Sequence, residues 1–256
     1  MAWPVYSKGI SMSDLSILQG IVDSIYERHK DSREGKVATY IPALAQADPD
    51  AFGIAITTIN NEVVTAGDVD SEFSIQSVSK PFMYGLALED LGDEAVDRRV
   101  GTEPSGESFN AIELDPQTHL PSNPMINAGA ISTTGMLYEK YGDGTEERIL
   151  QCFSALAGGT IGIDESTFKS ELATAARNRA LAYLMQSVGS FDAPIEEKLA
   201  AYFSQCSAMV TARKLSMMAA TLANIGTQPA TGVVVFSPLT VRRVLSVMFT
   251  CGMYDF

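Results

Sequence analysis

Residues 73–83 read Phe73-Ser-Ile-Gln-Ser77-Val-Ser-Lys80-Pro-Phe-Met83, and this stretch divides the chain. Before it lie strand-like runs. Residues 52–59 (Phe-Gly-Ile-Ala-Ile-Thr-Thr-Ile) and Val63-Val64-Thr65 flank Asn60-Asn61, which spells a hairpin turn. Phe73-Ser-Ile is expected to add a short third strand. After it the pattern is almost wholly helical, with helices expected at 78–91, 126–140, 145–157, 166–188, 195–206, 211–225 and 239–250. Glycine- and proline-containing turns separate them at 92–93, 142–144, 158–159, 189–194 and 226–229. One amphipathic helix precedes the hairpin at 14–30, with Leu15, Leu18, Val22 and Ile25 on a single face.

Ser77 and Lys80 form Ser-x-x-Lys. A spacing of three puts both side chains on one side of a helical turn. The positive end of a helix and partial burial both favour the neutral amine. A lysine so placed can take the serine proton without any histidine. The spacing recurs at Ser166 and Lys169, but there the polar context of Asp164-Glu165 makes Ser166 a helix cap and Lys169 a solvated charge.

Composition narrows the alternatives. The chain has 256 residues, 46% hydrophobic and only 19% charged, enough for a large core or two lobes. A net charge of −13 leaves no basic footprint for nucleic acid and disfavours anionic membranes. No apolar run approaches the ~18 residues of a membrane span, and Met1-Ala-Trp-Pro-Val-Tyr-Ser-Lys lacks the apolar centre of a signal peptide. Cys152, Cys206 and Cys251 are odd in number and widely spaced, which argues against a disulfide framework and for a cytoplasmic setting. His29 and His119 stand far apart with no metal-ligand spacing, so no metal and no cofactor is expected, and both read as surface or hydrogen-bonded structural histidines.

Other polar residues have two readings each. Asn123 and Asn127 open a small-residue helix, where they either satisfy backbone groups or face a ligand. Glu171 and Asn178 lie seven apart on one expected helix, hence on nearly one face. They are either a solvated pair or acceptors for an ammonium. Tyr202 and Tyr254 sit among apolar residues, as core side chains or as buried hydroxyls in need of partners.

Taken together these segments resemble the serine-dependent, β-lactamase-like glutaminase family. The resemblance is carried in order by Gly35-Lys-Val-Ala-Thr-Tyr-Ile-Pro-Ala-Leu-Ala, Gln76-Ser-Val-Ser-Lys-Pro, Glu103-Pro-Ser-Gly with Phe109-Asn110, and Asn123-Pro-Met-Ile-Asn-Ala-Gly-Ala-Ile. It continues through Glu171 with Arg177-Asn178, Tyr202-Phe with Cys206-Ser207, Met218-Ala-Ala-Thr-Leu-Ala-Asn and Cys251-Gly-Met-Tyr-Asp. It implies an α/β plus all-α, β-lactamase/transpeptidase-like fold, in which a small antiparallel sheet with flanking helices packs on a helical domain. Residues 1–76 with 233–256 would form the first domain and 77–232 the second.

It further implies hydrolysis of the glutamine side-chain amide through a Ser77 acyl-enzyme. Lys80 would be the base and Tyr202 a proton relay. Tyr40, Asn127, Glu171, Asn178 and Tyr254 would line the pocket, Glu171 against the substrate ammonium, and the protein would be a homodimer or homotetramer. Family members continue past Cys251-Gly-Met-Tyr-Asp into a Lys-Ser-Gly-Val-Gly-Gly strand whose valine N–H completes an oxyanion hole. The resemblance therefore implies a longer natural chain with further C-terminal strands. The alternatives are another Ser-x-x-Lys hydrolase, of the β-lactamase or peptidase kind, and a non-catalytic ligand-binding relative.

Overall fold

The computed structural model describes residues 12–252. Helix α1 (Met12–His29) is followed by the hairpin β1 (Gly53–Thr57) and β2 (Val63–Gly67). Its register runs from Gly53 opposite Gly67 to Thr57 opposite Val63. The turn closes where the Thr58 N–H donates to the Glu62 carbonyl at 2.9 Å. Asn61 takes the left-handed conformation there (φ 66°), which asparagine tolerates better than most residues.

A lone hairpin is marginal in water, and this one is covered by helices. Helix α1 lies on β2, and α9 (Ala212–Ala223) lies on β1. The Gln19 side-chain amide donates to the Thr65 carbonyl at 2.9 Å and accepts from the Thr65 N–H at 3.3 Å, occupying backbone groups that a neighbouring strand would otherwise use. A second tie joins the Thr57 and Ser216 hydroxyls at 2.7 Å. The third strand forms, but not in that sheet. β3 (Phe73–Ser74) pairs antiparallel with β4 (Met209–Val210) to make a separate two-residue sheet. Two residues carry no periodicity, so this partner was beyond a pattern-based reading.

The helices are α2 (Lys80–Leu91), α3 (Asp93–Asp97), α4 (Asn127–Tyr141), α5 (Thr145–Ala157), α6 (Glu165–Thr174), α7 (Ala176–Ser187), α8 (Ile195–Cys206), α9 and α10 (Pro238–Cys251). Three departures from expectation concern the helices. The helix expected at 78–91 starts at Lys80, because Gln76–Ser79 form a tighter 3-10 turn before it. Pro81 fits this start, since a first-turn residue needs no N–H partner. The helix expected at 166–188 is two helices broken at the buried Ala175, whose ψ of 12° leaves the helical region. Carbonyls freed near the break are met by side chains: Arg179 Nη1 donates to the Leu172 carbonyl at 3.1 Å and Thr174 Oγ1 to that of Ser170 at 2.8 Å. Ser166 does not cap α6; Asp164 does, accepting from the Thr167 N–H at 2.7 Å. Lys169 is exposed and pairs with Glu165 at 3.1 Å, as a solvated charge does.

Two clusters form the core. One gathers Ile75, Phe82, Met83, Leu86, Phe153, Leu156, Met218, Phe236 and Val244 around α2, α5, α9 and α10. The other gathers Ile126, Ile131, Leu181, Met185, Phe191, Leu199, Tyr202 and Phe203 around α4, α7 and α8. Residues 82–88 of α2 and 127–137 of α4 are buried on every side, as helices without a polar face must be. The N-terminal ends of these two helices meet where the clusters adjoin, and the polar residues of interest collect there. Helix α9, on the helical side of the expected domain division, packs on the hairpin.

Close approach at the start of α4 depends on Gly129. A Cβ there would stand 1.9 Å from the Asn123 carbonyl oxygen and 2.9 Å from the Pro124 Cα, both of them backbone. Gly129→Ala is expected to cost about 1–3 kcal/mol, read as a lower Tm, because the turn before α4 has to move.

Candidate active site

Ser77 sits in the 3-10 turn Gln76–Ser79 and is half-buried. The Lys80 N–H donates to the Ser77 carbonyl. Residues three apart eclipse one another in such a turn, so the two positions share one side of it. Lys80 is only 1% exposed. Its Nζ donates to Asn127 Oδ1 at 2.7 Å and lies 5.5 Å from the centre of the Phe109 ring. Burial disfavours the ammonium and brings the Lys80 pKa down to about 8, against a small opposing influence from Cys206. A substantial fraction of the amine is then neutral near physiological pH.

Asn127 is the first residue of α4 and uses both ends of its amide. Its Oδ1 accepts from Lys80, and its Nδ2 donates to Asn178 Oδ1 at 3.1 Å. Asn178 is in the first turn of α7, half-buried. Asn123 plays the bland part: Oδ1 accepts from the N–H groups of Met125 and Ile126, and Nδ2 donates to the Glu103 carbonyl. That side chain shapes the turn into α4. The segment carrying Phe109 and Asn110 docks beside it. The Asn127 N–H donates to the Phe109 carbonyl at 2.8 Å and Arg177 Nε to that of Asn110 at 2.6 Å.

Glu171 projects from α6 and is 7% exposed. Burial lifts its carboxyl pKa to about 7, opposed by a hydrogen bond from the Gln76 side chain. Glu171 and Asn178 thus reach the site from two helices rather than one face of a single helix. Tyr202, in α8, is buried, and its hydroxyl bonds to the thiol of Cys206 one turn on. That thiol is pushed up to about 12 by burial and by the Glu171 charge, with Lys80 acting the other way. Tyr40 lies in an exposed loop. Local desolvation and the Glu171 charge hold its phenol above the ordinary value. The loop is tied to α6 by the Ala43 N–H, which donates to Ser170 Oγ at 3.3 Å. Tyr254 lies outside the described residues.

Four residues of this cluster escaped the sequence reading: Gln76, Ser79, Gln205 and Cys206. The signal for two was present, since Tyr202, Gln205 and Cys206 follow at i, i+3 and i+4 and share one face of α8. His29 and His119 are exposed. Among the described residues no group of three His, Cys, Asp or Glu is placed to hold a metal ion, and no helix is long and apolar enough to cross a membrane.

A hydroxyl, a buried amine poised close to neutrality and a buried carboxylate in one cluster have the chemistry of covalent acyl transfer, with the amine as base. Residues 35–256 match the glutaminase family, and the chain belongs to it. A glutaminase of Nostoc sp. is 48% identical over 243 residues, which cover 94% of this chain and 72% of that protein. A crystal structure of Mglu in its tris and glutamate form superposes with a TM-score of 0.88 at 40% identity, covering all of this chain and 54% of the Mglu chain. The probable glutaminase ybaS gives 0.88 at 33% identity, covering 94% and 79%. The chain therefore spans about half the length of Mglu and nearly three-quarters of the Nostoc protein.

Proposed function

We propose that this protein hydrolyses the side-chain amide of L-glutamine to L-glutamate and ammonia, with Ser77 as nucleophile and Lys80 as base. The observation that carries the reading is the buried Lys80, brought down to about 8 and joined to Ser77 through its N–H and the Ser77 carbonyl across a 3-10 turn. Neutral Lys80 takes the Ser77 hydroxyl proton as Oγ bonds to the amide carbon. Collapse of the tetrahedral intermediate breaks the carbon–nitrogen bond, and Tyr202 relays the proton held by Lys80 to the departing nitrogen, which leaves as ammonia and returns Lys80 to its neutral form. Water then cleaves the glutamyl ester, its proton passing to Lys80 and from there to the Ser77 oxygen. Glu171 binds the α-ammonium, its burial making the ion pair worthwhile only with a cation present. Asn127, Asn178, Tyr40 and Tyr254 hold the substrate's remaining polar groups. In this reading residues 1–76 with 233–256 and residues 77–232 are the two halves of a β-lactamase-like arrangement, with the substrate cleft between them.

Ammonia release from glutamine, compared with asparagine, tests the reaction, and equal rates would count against the proposed pocket. The pH profile tests the roles. Lys80 acts when neutral and Glu171 when ionised, so kcat/KM rises with pH through about 8 and about 7. The slope is about tenfold per pH unit between those values and steeper below 7. A flat profile between pH 6 and 9 would remove Lys80 from the role of base.

A further inference from the structure

We infer that a buried chain of side chains, Thr134–Gln205–Ser79, is the positioning device for the turn that presents Ser77; the inference rests on Ser77 being the nucleophile. The turn needs such a device. Gln76, immediately before Ser77, takes φ 50°. A non-glycine residue stays in that left-handed region only when its surroundings over-determine it. The Gln76 side chain is held by Ser74 Oγ at 3.1 Å and by Glu171. Its carbonyl accepts from Ser79 Oγ at 2.6 Å.

The direction of the chain follows from that carbonyl, which can only accept. Ser79 has one hydroxyl proton and spends it on Gln76. Toward Gln205 it must therefore accept, and Gln205 Nε2 donates to it at 3.0 Å. With its amide nitrogen so turned, Gln205 offers Oε1 on the other side, where Thr134 Oγ1 donates at 2.6 Å, the shorter of two contacts its one proton shares with the Ala130 carbonyl at 3.0 Å. Thr134, Gln205 and Ser79 are each fully buried, so water has no access to replace a lost member. The anchors are also informative. Thr134 belongs to α4, which begins with Asn127, and Gln205 to α8, which carries Tyr202. The chain thus fixes the nucleophile's turn against the two helices that supply Asn127 and Tyr202. None of its three members is proposed to touch the substrate.

The test uses Gln205→Met, which keeps the side chain's length but neither donates to Ser79 nor accepts from Thr134, together with Thr134→Val and Thr134→Ser. The readouts are kcat and KM for glutamine, affinity for glutamate, and the single-turnover rate of ammonia release from glutamine, which reports acylation of Ser77, all per titrated active site. Gln205→Met and Thr134→Val are expected to lower kcat and the acylation rate about 10- to 100-fold, the scale of a small misplacement of reacting atoms. Glutamate affinity should hold, and Thr134→Ser, which retains the hydroxyl, should restore kcat. Adding Ser79→Ala to Gln205→Met should slow the enzyme no further than the worse single change, as expected within one chain.

Unchanged kcat in folded Gln205→Met overturns the inference, and so does an equal loss of glutamate affinity and acylation. If Gln205→Met does not fold, the contrast between Thr134→Val and Thr134→Ser decides alone. Ammonia release by Ser77→Ala would instead overturn the assignment of the nucleophile, so the two failures are distinguishable.

Discussion

Ser77→Ala is expected to lower ammonia release from glutamine by roughly 10⁴-fold or more, the scale seen when a covalent nucleophile is removed. The fold should not notice. Ser77 is half-buried and its turn is held by Ile75, Gln76 and Ser79, so the change falls in the range of about ±0.5 kcal/mol typical of positions without a packing role. Glutamate should still bind, since Glu171, Asn127 and Asn178 are untouched. Calorimetry with glutamate and an ammonia assay on the same preparation separate the two effects. Ser166→Ala is the internal control. It shares the Ser-x-x-Lys spacing, yet Ser166 is exposed and Lys169 pairs with Glu165 in solvent, so activity should be unchanged. Turnover surviving in Ser77→Ala at anything near its original rate would require a different nucleophile.

The same contrast explains what the sequence could and could not reveal. Spacing alone cannot tell Ser77 from Ser166. Apolar neighbours could, because they bury Lys80 and leave Lys169 in water. Elements bounded by strong punctuation were legible to the residue. The helix at 145–157 runs from the Gly142-Asp-Gly turn to Gly158, and the helix at 195–206 begins after Pro194. Where tertiary contacts override local pattern, the reading failed. Nothing in Leu172-Ala-Thr-Ala-Ala-Arg announces a break; the chain bends at Ala175 because that residue is buried in the α7–α8 core while Arg179 supplies the missing partner. The pairing of Phe73–Ser74 with Met209–Val210 likewise depends on folding across the 134 residues between Ser74 and Met209, and no window of sequence contains it. Glu171 and Asn178 stand on two helices rather than one face of a single helix, which brings Asn178 to Asn127 rather than stacking it over Glu171.

Glu171→Gln should then produce two effects of opposite sign. The carboxyl is lifted from 4.5 to about 7 by burial, so the folded state holds its proton more tightly than the unfolded chain does. Stability therefore falls as pH rises from about 4.5 through 7, and above 7 the whole penalty is present, of the order of 3 kcal/mol if the shift is taken at face value. Glutamine has no such proton to lose, and its amide oxygen can still accept from Gln76. The variant should match the original Tm near pH 4 and exceed it increasingly up to pH 8. Binding should move the other way. An ammonium arriving beside a carboxylate desolvated in advance recovers what burial cost, whereas a neutral amide offers it little, so glutamate and glutamine affinity should drop by about 10²-fold. KM should rise far more than kcat falls, because Ser77 and Lys80 keep their geometry. Melting curves and glutamate titrations at pH 5 and pH 8 measure both effects. A variant that bound glutamate normally at pH 8, or gained no stability there, would show that Glu171 is not held desolvated for a cation.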